Sequence, residues 1–530
     1  MIDIESLKRN EEDLYNKNEY LDHLNNNKLS LRKSKNNRQI KNKRDYKLLY
    51  ENENIFINKE YQFHIINFDS SFNIIENYLK SNNSDLISYC LREICLYFST
   101  TCPKIKEQQK IIETKFLNIL LFFGNKFIQD NNFEDLSNVL RILINIHSFE
   151  EGNKEYLKDI YSNDFFNLYN NCLIFINKSN KNEHKTIIYR IIIHLLIMMA
   201  FYDNEDNYNL NFLFFRSQVF LQILDFFEAQ NFKEIEDIKS TLELIVYTLE
   251  FTNIEEEMFD DNDIHIIDKI LNILIQELYS GNKEELLVLI YEGISHISLL
   301  NGKSDRNVKI IDGGVTLKIL KMKFNKFKLT NNYLKIILFS MRILANNLTA
   351  SDKNCQIFYD QNIIDYYNLV LDKFDDEKSI VKAVLYGINN IAISSKYDVL
   401  KSSIIWNEDK IQKYLSYDDE IKIQIIKTVK YLLYKNNKEW LKFIFECKIL
   451  EYLIHIFVSF NIGKLTCNKI LELIDYYLSM FKKEFKEKKE YLIIYNKFKD
   501  LFQSSEKIIL LNEEKSKIPL IEKRIRANYG

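Results

Sequence analysis

MRILANNLTASD (residues 341–352) and LYGINNIAISS (residues 385–395) superpose so that Arg342 falls on Tyr386 and Asn346 on Asn390, each pair 44 residues apart. An apolar helical stretch that returns at a fixed interval marks a stacked repeat, because one such unit cannot bury its own hydrophobic face and needs neighbours. The approaches to the two helices repeat as well. IIDGGVTLKIL (residues 310–320) and FYDQNIIDYYNLVL (residues 358–371) each carry a turn in which Gly313 or Gly314, and Asn362 in the second, suit left-handed backbone.

Outward from this pair, apolar residues keep helical spacing along most of the 530 residues. Short polar breaks such as Asn82-Asn83-Ser84, residues 203–207 and residues 375–377 separate the helical stretches. Strand-like alternation bounded by turn dipeptides is not sustained anywhere. With only 2 Pro and 10 Gly, long helices are seldom interrupted, and 46% hydrophobic residues suffice for a continuous core. The expected fold class is all-α, a solenoid without an internal linker.

Composition also narrows the chemistry. The seven cysteines (Cys90, Cys95, Cys102, Cys172, Cys355, Cys447 and Cys467) form no C-x2-C pair, so neither a zinc site nor a disulfide framework is expected, and a reducing compartment suits them. The N-terminus MIDIESLKRNEEDL is acidic and lacks the apolar core of a signal peptide. The longest apolar run, residues 191–202, carries His194 and is too short to span a bilayer. Phosphate-loop, dinucleotide, zinc-protease and serine-hydrolase motifs are missing. His147, His194, His296 and His455 sit in apolar helical contexts that suit core packing. We therefore expect no catalytic residues, no metal and no cofactor: a protein that is not an enzyme.

One stretch departs from the rest. From residue 28 to residue 47 the chain carries Lys28, Arg32, Lys33, Lys35, Arg38, Lys41, Lys43, Arg44 and Lys47 against one acid, Asp45. Such a run repels itself and wants an acidic partner. The net charge of −3 hides this basic head beside acidic loops, and the surface as a whole is not that of a nucleic-acid-binding protein.

LRKSKNNRQIKNKR (residues 31–44) resembles the second half of the importin-β-binding segment of the importin-α family, and residues 341–352 and 385–395 look like its armadillo repeats. The third helix of those repeats carries W-x3-N, with Arg for Trp in one repeat; Arg342-x3-Asn346, followed by Thr349 and Asp352, fits that variant, and Tyr386-x3-Asn390 fits the next. The resemblance implies an armadillo-type right-handed superhelical solenoid with a flexible basic N-terminal arm. It implies an arm over residues 1–65, an array over 71–505 and a tail over 506–530. It further implies a nuclear import adaptor, moving between cytoplasm and nucleus, whose partners are importin-β, basic signal peptides of cargo and an export receptor. Neither nucleic acid nor membrane is among them.

Residue by residue, the resemblance assigns Leu31, Arg32, Lys33, Lys35, Gln39, Lys41, Lys43 and Arg44 to importin-β. Lys41, Lys43 and Arg44 would also compete with cargo for the chain's own groove, weakly, because Asn42 interrupts them. An Asn amide donates and accepts at once, so Asn346 and Asn390 would grip a peptide backbone without reading its sequence. Tyr386 would wall a trough for a Lys or Arg stem, Asp352 would take a cationic head, and Arg342 would pair with acidic neighbours. In the N-terminal half the aligned pairs are Arg141 and Asn145, His194 and Met198, and Tyr247 and Phe251, of which Asn145 and Tyr247 keep the expected chemistry. Acidic loops follow at Asp203, Glu205 and Asp206 and at Glu255, Glu256, Glu257, Asp260 and Asp261. Two alternatives stay open: an armadillo scaffold for a non-nuclear partner, and a regulatory subunit built from two-helix repeats.

Overall fold

The computed structural model describes the chain from residue 64 to residue 480 with breaks, chiefly at 101–104, 148–159, 179–181, 201–213, 230–233, 252–259, 300–305, 325–329, 349–355 and 459–465. The arm, the tail, Thr349 and Asp352 lie outside the described residues. Among the described residues there are helices and turns and no strand. They cluster into two compact units, one running to Phe226 and the other from Phe227 onward, with Phe214, Phe215 and Arg216 belonging to the second.

The first unit holds α1 (Phe68–Leu79), α2 (Ser84–Thr100), α3 (Ile105–Glu113), α4 (Phe116–Gln129), α5 (Phe133–His147), α6 (Asn163–Lys178), α7 (Asn182–Ala200) and most of α8 (Gln218–Ala229). Helices α2, α5 and α7 pack in succession, with α4 against α5 and α6 against α7. The unit opens on an aromatic cluster in which Phe68 meets Phe98 at 4.9 Å and Phe116 at 5.2 Å between ring centres.

The second unit continues with α9 (Ile235–Phe251), α10 (Asp261–Tyr279), α11 (Glu284–Leu299), α12 (Arg306–Asp312), α13 (Val315–Leu320), α14 (Asn331–Asn347), α15 (Ile363–Lys373), α16 (Lys378–Ile393), two 3-10 turns at Tyr397–Ser402 and Ile404–Trp406, α17 (Glu408–Leu415), α18 (Asp419–Tyr434), α19 (Lys438–Glu446) and α20 (Ile449–Val458). Its spine is the succession α9, α11, α14, α16, α18, each packed on the next. A short helix, a second helix and a long third helix make one repeat, as in α12, α13 and α14. That three-helix grouping is the armadillo arrangement and runs against the two-helix alternative.

The repeat has a covalent signature. Lys115, Gly314, Asn362 and Lys448 each precede a second helix and each adopt a left-handed backbone, with φ of 51°, 72°, 55° and 53°. In every case the residue's own N–H closes on the carbonyl three residues back, at 2.9 to 3.1 Å. This tight bond ends the first helix and turns the chain into the second. Gly and Asn reach that conformation cheaply and lysine does not, so the geometry belongs to the fold rather than to the residue type.

Of the third helices, α14 and α18 start at side-chain caps, whereas Glu377 ahead of α16 makes none. Thr330 and Asp418 accept from the N–H groups of Tyr333 and Ile421. Across neighbouring third helices a basic residue of one meets an acid near the start of the next: Arg92 with Glu134, Lys239 with Glu285 at 3.4 Å, Lys382 with Glu420. Each acid occupies the second position of its helix, where the exposed N–H groups favour negative charge. These half-exposed pairs contribute little energy singly, but their recurrence holds adjacent third helices in register.

Candidate interaction face

A third helix flanked by two others and backed by its own second helix has one side left for solvent, and helical periodicity sets which residues line it. On α9 these are Glu236, Lys239, Glu243 and Tyr247; on α11, Glu285, Leu289, Glu292 and His296; on α14, Lys335, Leu338 and Arg342; on α16, Lys378, Lys382 and Tyr386. All are exposed or half-buried and recur every three or four residues. Arg342 and Tyr386, matched in sequence, occupy matching places. Asn145 and Tyr247 also lie half-buried on third helices, α5 and α9.

Asn346 and Asn390 differ from their neighbours on this face. They are only 4% and 9% exposed. The Asn346 amide donates to Ser298 Oγ on α11 at 2.9 Å, and that of Asn390 donates to the Ala345 carbonyl on α14 at 2.8 Å. Beside them Asn347 donates to the Ile343 carbonyl at 2.8 Å, and Asn389 to Gln424 Oε1 on α18 at 2.6 Å. Thr428 donates its hydroxyl proton to Asn389 Oδ1. These asparagines form a buried polar seam across α11, α14, α16 and α18, each amide serving the array itself. Burial and these bonds leave less of each amide for a peptide backbone, the role the resemblance assigns to Asn346 and Asn390.

Arg342 lies on the same face, ahead of residues 349–355, which fall outside the described residues. Among the described residues no carboxylate pairs with it; its guanidinium lies 5.7 Å from the centre of the Phe339 ring. Its charge is felt by His296, whose pKa falls to about 4, first because burial disfavours the charged ring and then because Arg342 repels it. Burial likewise lowers His194 to about 4. A histidine depressed in the fold contributes stability above its unfolded value near 6.5, and loses it as pH falls toward the folded value. Lowering the pH from 7 to 5 should therefore cost about 1 to 2 kcal/mol for each ring, before most carboxylates titrate. Urea denaturation across that range checks it: His194→Leu with His296→Leu should flatten the profile, and an unchanged slope would show that these rings do not carry it.

The acidic loop ahead of α10 proves to be a helix start. Asp260 accepts from the N–H groups of Asn262 and Asp263, and Asp263 reaches back to the Asp260 N–H at 3.0 Å, a reciprocal capping box. Arg216 Nε donates to Asp263 at 2.9 Å. Asp260 is thus committed to the α10 terminus. Glu255, Glu256 and Glu257, with Asp203, Glu205 and Asp206, fall outside the described residues, as does the Phe251 side chain.

The row α11, missed by the 44-residue match, carries the acids Glu284, Glu285 and Glu292 and no Lys or Arg. Its signal was available in the bare composition of one helix. On the next two third helices the balance inverts: α14 and α16 carry Lys335, Arg342, Lys378 and Lys382 and no Asp or Glu. The face changes sign between α11 and α14. Cys90 lies beneath the first unit's surface with its thiol pushed up to about 12, mainly by burial, which keeps it protonated. Among the described residues no group of His, Cys, Asp and Glu could hold a metal ion, and no helix is long and apolar enough to cross a membrane.

No protein-family profile matches the chain, and no curated protein does. Solved structures do. One, from work on a phosphorylation switch that controls the interaction between cadherin and β-catenin, aligns with a TM-score of 0.53 at 11% identity, over 91% of this chain and 86% of that one. Importin beta aligns with a TM-score of 0.42 at 13% identity, over 81% of this chain and 50% of that one. A designed armadillo repeat protein in complex with the peptide (KR)4 aligns with a TM-score of 0.33 at 13% identity, over 57% of this chain and 98% of that one. The first likeness, with the three-helix repeats and their left-handed turns, makes this chain an armadillo-type all-α solenoid.

Proposed function

We propose that the chain is a non-catalytic adaptor that receives partner segments on its third-helix face, and that it serves nuclear import in the manner of importin-α, between cytoplasm and nucleus. The observation that carries the reading is the solvent-facing stripe repeated over α9, α11, α14 and α16, a surface that third helices expose at matching places. On its α9 and α11 half four acids, Glu236, Glu243, Glu285 and Glu292, outnumber the one cation, Lys239, that pairs with Glu236 and Glu285, and this excess suits the basic side chains of a signal peptide. The basic run at residues 31–44 supports docking to the acidic surface of importin-β, with the arm folding as it binds. The solved structure of this fold with the 0.53 TM-score comes from work on the interaction between cadherin and β-catenin, which is consistent with a partner-binding role.

A second reading rests on the buried seam. With Asn346 and Asn390 engaged inside the array, the chain could be a scaffold for a non-nuclear partner that has dispensed with importin-β. Capture of the full chain on immobilised importin-β separates the two. Arg32→Ala with Lys33→Ala and Lys35→Ala should abolish capture by the import adaptor, and capture of the unaltered chain should weaken steeply with salt, since exposed charges are screened over about 10 Å at 0.1 M. Retained capture by the triple variant, or none by the unaltered chain, would leave the scaffold reading.

A further inference from the structure

Two observations on α14 and α16 point away from an extended basic peptide there. The first is charge: these consecutive third helices carry four cationic residues and no carboxylate, and Arg342, half-buried, lacks an acidic partner among the described residues. A partly desolvated guanidinium is costly unless a carboxylate meets it, and its fork geometry selects such a ligand. Lys335, two turns earlier on the same stripe, is exposed and adds a second positive charge. Lys378 and Lys382 lean toward Asp418 and Glu420 at the start of α18, which leaves Lys335 and Arg342 of α14 as the cations that no carboxylate meets among the described residues.

The second observation is the seam. An extended segment arrives with free N–H and C=O groups along its length and needs partners for them. The four asparagine amides beside this face, Asn346, Asn347, Asn389 and Asn390, are each at most 9% exposed and each give one N–H to the array, so burial more than bonding limits what they offer. A helix satisfies its own backbone between its first and last turns and there needs only side-chain contacts. Between the cations lie apolar groups for it to rest on: Leu338 and the Tyr386 ring, half-buried, and Ile393, 39% exposed.

Resting on the reading of the third-helix face as a docking surface, we infer that α14 and α16 receive an acidic amphipathic helix, one of whose carboxylates pairs with Arg342 while its apolar stripe covers Leu338 and Tyr386. The α9 and α11 half remains the place for basic segments, so one groove takes two partners of opposite charge. This departs from the peptide-clamp role of Asn346 and Asn390.

The test titrates the full chain with three labelled probes: a helix-forming peptide with Leu and Glu on one face, the same composition broken by proline, and a basic (KR)4 peptide. The acidic helix should bind, and Arg342→Ala should weaken it by about ten- to a hundredfold, the range of one lost charge-assisted contact. That substitution should not weaken (KR)4 binding, because it removes a charge of the same sign as the peptide's. Arg342→Glu should transfer preference to a helix with Lys in place of Glu, which also shows that the variant is folded. Lys335→Ala, at an exposed position, should weaken the acidic helix by about threefold. Equal binding of the proline-broken probe would overturn the helical partner, and an acidic helix indifferent to Arg342 would overturn the site. If (KR)4 binds and the acidic helix does not, this inference fails alone; if neither binds, the docking face itself is misread.

Discussion

Gly387→Ala is expected to destabilise the second unit by about 3 kcal/mol, the upper part of the range for overpacking a filled core. A Cβ on Gly387 would lie 2.2 Å from the Tyr367 hydroxyl, 2.7 Å from Cζ and 3.0 Å from Cε2. Tyr367 on α15 is fully buried, so its ring has no solvent to swing into. The third helix α16 therefore approaches its own second helix closely enough that only a hydrogen fits between them. Tyr367→Phe by itself should be neutral or stabilise by up to about 1 kcal/mol, because the hydroxyl it removes is buried without a hydrogen-bond partner. Added to Gly387→Ala it should recover only part of the loss, since Cζ still obstructs the new methyl. Thermal denaturation of the three variants decides the matter: a Gly387→Ala midpoint equal to that of the unaltered chain would mean that the two helices are not so tightly packed.

How far the chain could be read before its structure follows from which signals are local. Periodicity is local, so the all-α class, the stacking of repeats and the matching places of Arg342 and Tyr386 could be read directly, while Asn145 and Tyr247 were placed by the family resemblance. Gly314 and Asn362 betrayed their turns because few other residues adopt positive φ easily. Lys115 and Lys448 make the same turn and gave no sign, since lysine has no bias toward it. The capping box at Asp260 and Asp263 had a local pattern, an acid answered three residues later, yet resembled a charged loop.

The seam was not legible, for a physical reason. Asparagine on a helix looks the same in sequence whether it faces a ligand, water or another helix. What distinguishes Asn389 is a glutamine 35 residues away and a threonine 39 residues away, brought beside it only by stacking α16 on α18. For Arg342 the telling fact is that no carboxylate meets it among the described residues, which depends on every element packed around α14. The same holds for Lys239 with Glu285 and Lys382 with Glu420, which are ordinary surface charges until their helices are adjacent.

Asn389→Leu is expected to be the costliest change in the seam, at about 2 to 4 kcal/mol, because it strands more than one polar group. Asn389 is 3% exposed, Gln424 3% and Thr428 0%, so water cannot replace what the amide supplied. Gln424 Oε1 loses its donor, while the Thr428 hydroxyl keeps only the Gln424 carbonyl at 3.1 Å. The penalty arises from desolvation without a partner rather than from the strength of the lost bonds. It follows that Asn389→Leu with Gln424→Leu and Thr428→Val, which removes donors and acceptors together, should cost less than Asn389→Leu alone, despite changing three residues. Urea unfolding with unchanged slope but shifted midpoint is the measurement. If the triple variant is less stable than the single one, the seam is held by net hydrogen-bond energy; if the order is as expected, its role is to fix the register of α16 on α18 at little gain in stability.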